Sequence, residues 1–152
     1  MKKFILTALT SLAIVGSSFA QTPQQQAIID EYTPEVENSI VRMKSPTTKC
    51  NTGTEPFSKF IEQFSTDKAF FDSRIALTDA QKSEYAELLV PENFTAKLPF
   101  IKDDDVYYQT WGETQGFQVY LECGWCDSYS THTFEFKRKG NKWYLSKIVP
   151  GE

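Results

Sequence analysis

Apolar residues recur at Phe57, Phe60, Ile61 and Phe64, the i, i+3, i+4, i+7 spacing that lines one face of a helix. Thr66-Asp67 offers a cap for a short continuation through Phe70 and Phe71, after which Arg74 to Leu77 reads as extended. Thr78 with Gln81 forms a capping-box pair for a further helix, DAQKSEYAELL, which Pro91 stops. Beyond Pro91 the period changes. NFTAKLPFI, VYYQTW, FQVYLEC, THTFEFKR and KWYLSKIV are strand-length runs rich in aromatic and β-branched residues. Turn signals separate them at Asp103-Asp104-Asp105, at Glu113 to Gly116, around Cys123 to Cys126 and at Gly140-Asn141. Helices first and a meander second predict an α+β fold, with N-terminal helices packed on one face of a curved antiparallel sheet.

The N-terminal third has weaker patterning. Residues 1–20 read as a secretory signal peptide: Lys2 and Lys3, an apolar run from Phe4 to Val15, and the small residues Ser18 and Ala20 before a cut. No cysteine follows the run to carry a lipid anchor, and no second apolar stretch approaches membrane-spanning length, so a soluble periplasmic or secreted protein starting at Gln21 is expected. In residues 21–56, QTPQQQ offers nothing to bury and is expected to be disordered. Thr33-Pro34-Glu35 reads as the start of a short helix to about Met43. SPTTKCNTGTEP, residues 45–56, reads as a linker or loose flap carrying Cys50. The expected division is therefore a signal peptide at 1–20, a flexible segment at 21–56 and a single domain at 57–152.

Charge and composition narrow the function. Loss of Lys2 and Lys3 takes the net formal charge from −4 to −6, which repels phosphate backbones and argues against nucleic acid as a partner. The 12 Phe, 7 Tyr and 3 Trp exceed what a surface needs, so most belong to a core.

Two segments, FSKFIEQFSTDKAFFDSRI at 57–75 and FEFKRKGNKWYLSKI at 134–148, together resemble a domain-of-unknown-function family of exported proteins from Bacteroides-type bacteria with a nuclear-transport-factor-2-like fold. In that family a Phe-rich helix leads to Ser-Arg-Ile and the domain closes on Gly-Lys-Trp-Tyr-Leu. Here Gly140 to Leu145 matches with one inserted residue, whereas Ala76-Leu77-Thr78 stands where the family has Phe-Pro-Leu. The resemblance implies a cone, nuclear-transport-factor-2-like or cystatin-like, in which a bent sheet wraps helices and leaves a cavity at its open end. It implies no reaction.

Against that background the chemistry of LECGWCDSYSTH, residues 121–132, can be weighed. A thioredoxin-type dithiol needs its first cysteine at a helix N-terminus, and here strands flank the pair. Cys50, Cys123, Cys126 and His132 make a nominal zinc set, but with one close pair rather than two. In an exported chain the disulfide reading is favoured: Cys123 bonds Cys126 if Gly124-Trp125 turns, or one of them bonds Cys50. His132 shares strand parity with Phe134 and Phe136 and reads as a hydrogen-bonded structural histidine; as a base it would need a carboxylate such as Asp127. Asp103 to Asp105 lacks the spacing of a calcium loop and reads as a solvated turn. Tyr107, Tyr108, Trp111, Trp125 and Tyr129 stand near turns or sheet ends, where they either pack or stack on a flat ligand. The candidate cavity is bordered by Tyr107, Trp111, Tyr120, His132 and Phe134. The function this supports is a non-enzymatic module binding a small molecule, a glycan or an envelope protein, without cofactor or metal, with the sheet face available for a homodimer. The alternative is an enzyme using His132 with a carboxylate, or a thiol redox module using Cys123 and Cys126.

Overall fold

The computed structural model describes residues 21–45, 55–102, 104–114, 118–125 and 130–151. The Phe-rich period forms helix α2, Phe57–Phe64, which buries Phe57, Phe60 and Phe64 on one face. Asp67 accepts a hydrogen bond from the Phe70 N–H at 3.0 Å and starts α3, Lys68–Ser73. Thr78 accepts from the Gln81 N–H at 3.2 Å and starts α4, Asp79–Glu84. The antiparallel sheet runs in sequence order: β1, Phe100–Lys102; β2, Asp105–Thr114; β3, Gln118–Trp125; β4, Ser130–Lys139; β5, Lys142–Pro150. Between β4 and β5 the two-residue loop Gly140-Asn141 has its glycine at φ 62, a conformation that twists the hairpin with the strands. Between Glu135 and Phe136 the register shifts by one, leaving Ser146 of β5 as the extra residue of a bulge that bends β5. The helices and this curved sheet make an α+β fold.

Three expectations change, the first being that α4 stops at Glu84 instead of running on to Pro91. NFTAKLPFI does not extend as a strand over its length: Pro91–Phe94 is a short 3₁₀ turn, and only Phe100–Lys102 joins the sheet. The backbone here is satisfied by a side chain instead of a ladder. Gln109 of β2 is fully buried; its Oε1 accepts from the Lys97 N–H at 3.0 Å and its Nε2 donates to the Asn93 carbonyl at 3.1 Å. Helix α1 is also longer than expected, running Pro23–Lys44 through Pro34 and including most of the stretch expected to be disordered. Its start is fixed by a reciprocal capping box, Thr22 Oγ1 accepting from the Gln25 N–H at 3.2 Å and Gln25 Oε1 from the Thr22 N–H at 2.9 Å. Pro34 removes one helical hydrogen bond. Thr33 Oγ1, donating to the Ile29 carbonyl at 2.6 Å, ties the chain one residue earlier.

Tertiary contacts hold α1 along β2. Past Tyr107, β2 has β3 as its strand partner among the described residues. At the β1–β2 turn Gln25 Nε2 donates to the Asp104 carbonyl at 2.8 Å, and along the open edge Tyr32 stacks on Tyr108 at 5.1 Å and Arg42 donates to the Trp111 carbonyl at 2.8 Å. Met43 enters the main core from the last turn of α1, and Val36 is fully buried in its middle.

The other helices pack on the face formed by Trp111, Val119, Leu121, Phe134, Phe136, Trp143, Leu145 and Ile148, where α2, α3 and the 3₁₀ turn supply Phe57, Phe60, Phe64, Phe71 and Phe94. Many of the rings meet edge to face, for example Phe64 on Phe136 at 86° and Phe57 on Trp143 at 82°. One polar knot crosses this boundary. Arg74 is buried and donates to both carboxylate oxygens of Glu55, at 2.8 and 3.0 Å, and to the Trp143 carbonyl at 3.1 Å. Glu55 accepts in turn from the Trp143 N–H at 3.1 Å, and its own carbonyl accepts from the indole Nε1 at 3.0 Å. Removing one member of such a pair strands the other charge out of water. Glu55→Ala should therefore lower unfolding stability by about 3 kcal/mol in urea titrations followed by circular dichroism, and a loss under about 1 kcal/mol would show that the knot does not tie the layers.

Candidate functional site

Strand parity puts Tyr107, Trp111, His132 and Phe134 on the helix-covered side of the sheet, as the β2–β3–β4 register shows. Tyr120 is the exception. It alternates with Val119 and Leu121 and lies opposite Gly112, where a Cβ would overlap its ring. The sequence assigned it to the cavity without a register, and parity alone cannot choose a face. Two of the other four are occupied by the core. Phe134 packs on Phe94 at 5.0 Å, and Trp111 meets Phe57 at 6.0 Å and Phe136 at 6.1 Å.

The remaining pair, Tyr107 and His132, flank Cys123 near one end of the sheet. Cys123 is directly opposite His132 in the ladder and hydrogen-bonds the Tyr107 hydroxyl. The predicted turn at Gly124-Trp125 is absent: both are in β3, paired to Tyr108 and Tyr107 on one side and to Thr131 and Ser130 on the other. Among the described residues Cys123 is a free, buried thiol packed in the core. Cys50, Cys126, Asp103 and Tyr129 lie outside the described residues.

The electrostatics of this row keep the Cys123 thiol protonated. Burial pushes the Cys123 thiol up to about 11, the Tyr107 hydrogen bond and the charge of Lys97 only partly offsetting it. Burial also raises the Tyr107 phenol and lowers His132, whose ring meets Tyr85 edge-on at 5.8 Å. A nucleophilic cysteine needs the reverse, a stabilised thiolate beside a base. Among the described residues no group of three His, Cys, Asp or Glu side chains is arranged to hold a metal ion.

A cleft elsewhere has the features of a ligand site. It measures about 570 Å³ and lies between α1, α2, the end of the 3₁₀ turn and β2. That is within the roughly 300–1,000 Å³ of small-molecule sites. Ile40, Met43, Ile61, Phe94 and Trp111 give it an apolar floor, with Lys44, Lys59, Glu62 and several hydroxyls around the rim. Among the described residues the buried Trp111 Nε1 has no hydrogen-bond partner, which costs about 1–3 kcal/mol for a donor out of water. Of the five residues expected to border a cavity, Trp111 alone lines this one. The rest of its wall was missed because it needs α1 laid against α2, a long-range packing with no local signal. Glu62 and Lys59 stand on the helix face away from the Phe period, which was the available hint.

No protein-family model matches the chain, and no curated protein matches it. Among solved structures it is similar to a cystatin-like protein from Bacteroides caccae, at 19% identity over 64% of this chain and 77% of that one, with a TM-score of 0.48. Among the described residues no helix is long and apolar enough to cross a membrane.

The thiol gives a test. In a Cys50→Ser, Cys126→Ser background, native Cys123 should resist iodoacetamide near neutral pH and react as the pH approaches about 11. Its proton is held more tightly folded than unfolded, so the linked stability is complete below about pH 9 and declines as pH rises towards about 11. Cys123→Ala should lose less stability across that window, and alkylation of the native thiol at the rate of a free peptide near neutral pH would contradict the burial argument.

Proposed function

We propose that this chain is a non-enzymatic exported module that binds a small molecule in the α1–α2 cleft. The observation that carries the reading is the cleft itself, an apolar floor with a few polar groups at its edge, of a size that holds a small organic ligand. A glycan fits less well, because a sugar would set its hydroxyls against Ile40, Met43, Ile61 and Phe94. Export from a signal peptide ending at Ala20, and kinship with Bacteroides-type exported proteins of nuclear-transport-factor-2-like fold, belong to the same proposal. The kinship is supported by the way its two motif segments meet, Ile75 bridging Leu145 and Arg74 bonding the Trp143 carbonyl. The thiol redox reading has weaker support, since burial biases Cys123 towards its protonated form.

An environment-sensitive apolar dye tests the cleft. Anilinonaphthalene sulfonate should bind the folded chain with a blue-shifted emission, and Ala96→Phe, which projects a ring into the space, should weaken it at least about tenfold, or 1.4 kcal/mol. Equal binding by both proteins, or none by the wild type under native conditions, would remove the cleft as the site.

A further inference from the structure

Positive charge is spread unevenly along the chain. Strands β4 and β5 hold Lys137, Arg138, Lys139, Lys142 and Lys147 with a single acid, Glu135, in a chain whose net formal charge is −4. The ladder register sorts these cations by face. Lys137 stands opposite Tyr144, Lys139 opposite Lys142 and Glu135 opposite Lys147, all on the side of the sheet turned away from α2 and α3, while Arg138 stands opposite Trp143 on the other side. Two lysines set directly across a ladder repel each other and cost stability. Among the described residues neither Lys139 nor Lys142 forms an ion pair, and Glu135 is taken up by Lys137 at 3.8 Å. Gly140, at φ 62, closes the hairpin in two residues and holds the opposed lysines at a fixed tip. A repulsion that the fold itself leaves in place is relieved by an anion from outside.

The shape of the row narrows that anion. From Lys142 to Lys147 it follows β5 for about 16 Å at the rise of a strand, a line that one small anion cannot span and a linear polymer can. Beside it, Tyr120 of β3 is diagonal to Lys137 and half-buried, and its phenol end fills the space over Gly112, so the side chain lies along the sheet. Such a ring offers apolar surface to a sugar and a hydroxyl at its edge. Among the described residues no exposed large apolar side chain stands on β4 or β5 to enter a lipid surface. We propose that this face of the β4–β5 hairpin docks a linear acidic polysaccharide, its carboxylate or sulfate groups along Lys139, Lys142, Lys137 and Lys147 and a sugar ring against Tyr120. The surface is separate from the α1–α2 cleft and does not depend on what fills it.

Calorimetric titration of the folded chain with polygalacturonate tests this. It should bind, with an affinity that falls as salt is raised, and neutral dextran should not. Lys139→Gln with Lys142→Gln should weaken polygalacturonate at least about tenfold and leave the thermal midpoint unchanged or higher, because a repulsion is removed; a purely structural role for the pair would lower it. Tyr120→Leu, which keeps an apolar cover over Gly112 but removes the ring, should weaken polygalacturonate about fivefold and leave the weaker binding of phosphatidylglycerol vesicles unchanged. Ala96→Phe should bind polygalacturonate as wild type does. Lys68→Gln with Lys82→Gln removes the same charge from the helical side, and an equal loss in that pair would reduce the effect to net charge and overturn the site. Absence of polygalacturonate binding also overturns it. Tighter binding of phosphatidylglycerol vesicles or of a DNA duplex, at matched charge and salt, would overturn the polysaccharide and assign the face to a membrane or to nucleic acid.

Discussion

The contact on which the architecture depends is the bidentate pair between Arg74 and Glu55, closed on β5 by Trp143. Arg74 ends α3, Glu55 precedes α2, and Trp143 opens the last strand, so one guanidinium fixes where the helical layer sits along the sheet. Its flat face also lies over Phe70 at 4.5 Å and Tyr144 at 5.5 Å, stacking that a lysine ammonium could not reproduce. Burying a charge pair is a poor source of net stability, because desolvation offsets most of the attraction. Its value here is placement: the Phe residues of α2 and α3 would pack on many apolar sheets, and the carboxylate fork selects one register. The backbone bonds that follow, Ala76 N–H to the Leu145 carbonyl at 2.8 Å and Leu145 N–H to the Arg74 carbonyl at 2.9 Å, continue the same alignment.

A second constraint acts at the opposite edge. Among the described residues the short β1 leaves most of β2 without an outer strand, and an open edge of that length invites pairing with other chains. Helix α1 takes the place of the missing strand, using side chains where a strand would use its backbone. The cleft follows from this substitution. A helix cannot mould itself to the sheet as closely as a strand, and the space left between α1 and α2 is lined by Trp111 of β2.

Much of the layer order could be read from the residues. The change from a helical period to aromatic and β-branched runs at Pro91 marks the boundary correctly, and Thr78 and Asp67 are the caps their types suggest. Local signals failed where a distant group decided the outcome. Pro34 looked like a helix start because prolines favour first turns, yet the Thr22 and Gln25 box had already begun the helix, and packing on β2 carries it through. NFTAKLPFI has strand propensity, but the Gln109 amide holds its backbone out of the sheet. Cys-Gly-Trp-Cys carries a glycine and so looked like a turn, while the ladder on both sides keeps Gly124 and Trp125 extended. For the site, Trp111 was identifiable as an aromatic residue of interest, but its neighbours across the cleft belong to segments about 50 to 70 positions away in sequence, beyond the reach of any periodicity.

The span of the Arg74 knot bears on the order in which the molecule forms. Trp143 is 88 positions from Glu55 and 69 from Arg74, and the apolar faces of α2 and α3 are covered by strands that come later in the chain. No leading fragment has a completed core of its own, so closure waits for the last strand. Loop closure over such separations slows folding relative to a helical bundle of equal size. A nascent chain of this design stays open until β5 is available, and its first half cannot lock prematurely into the native arrangement.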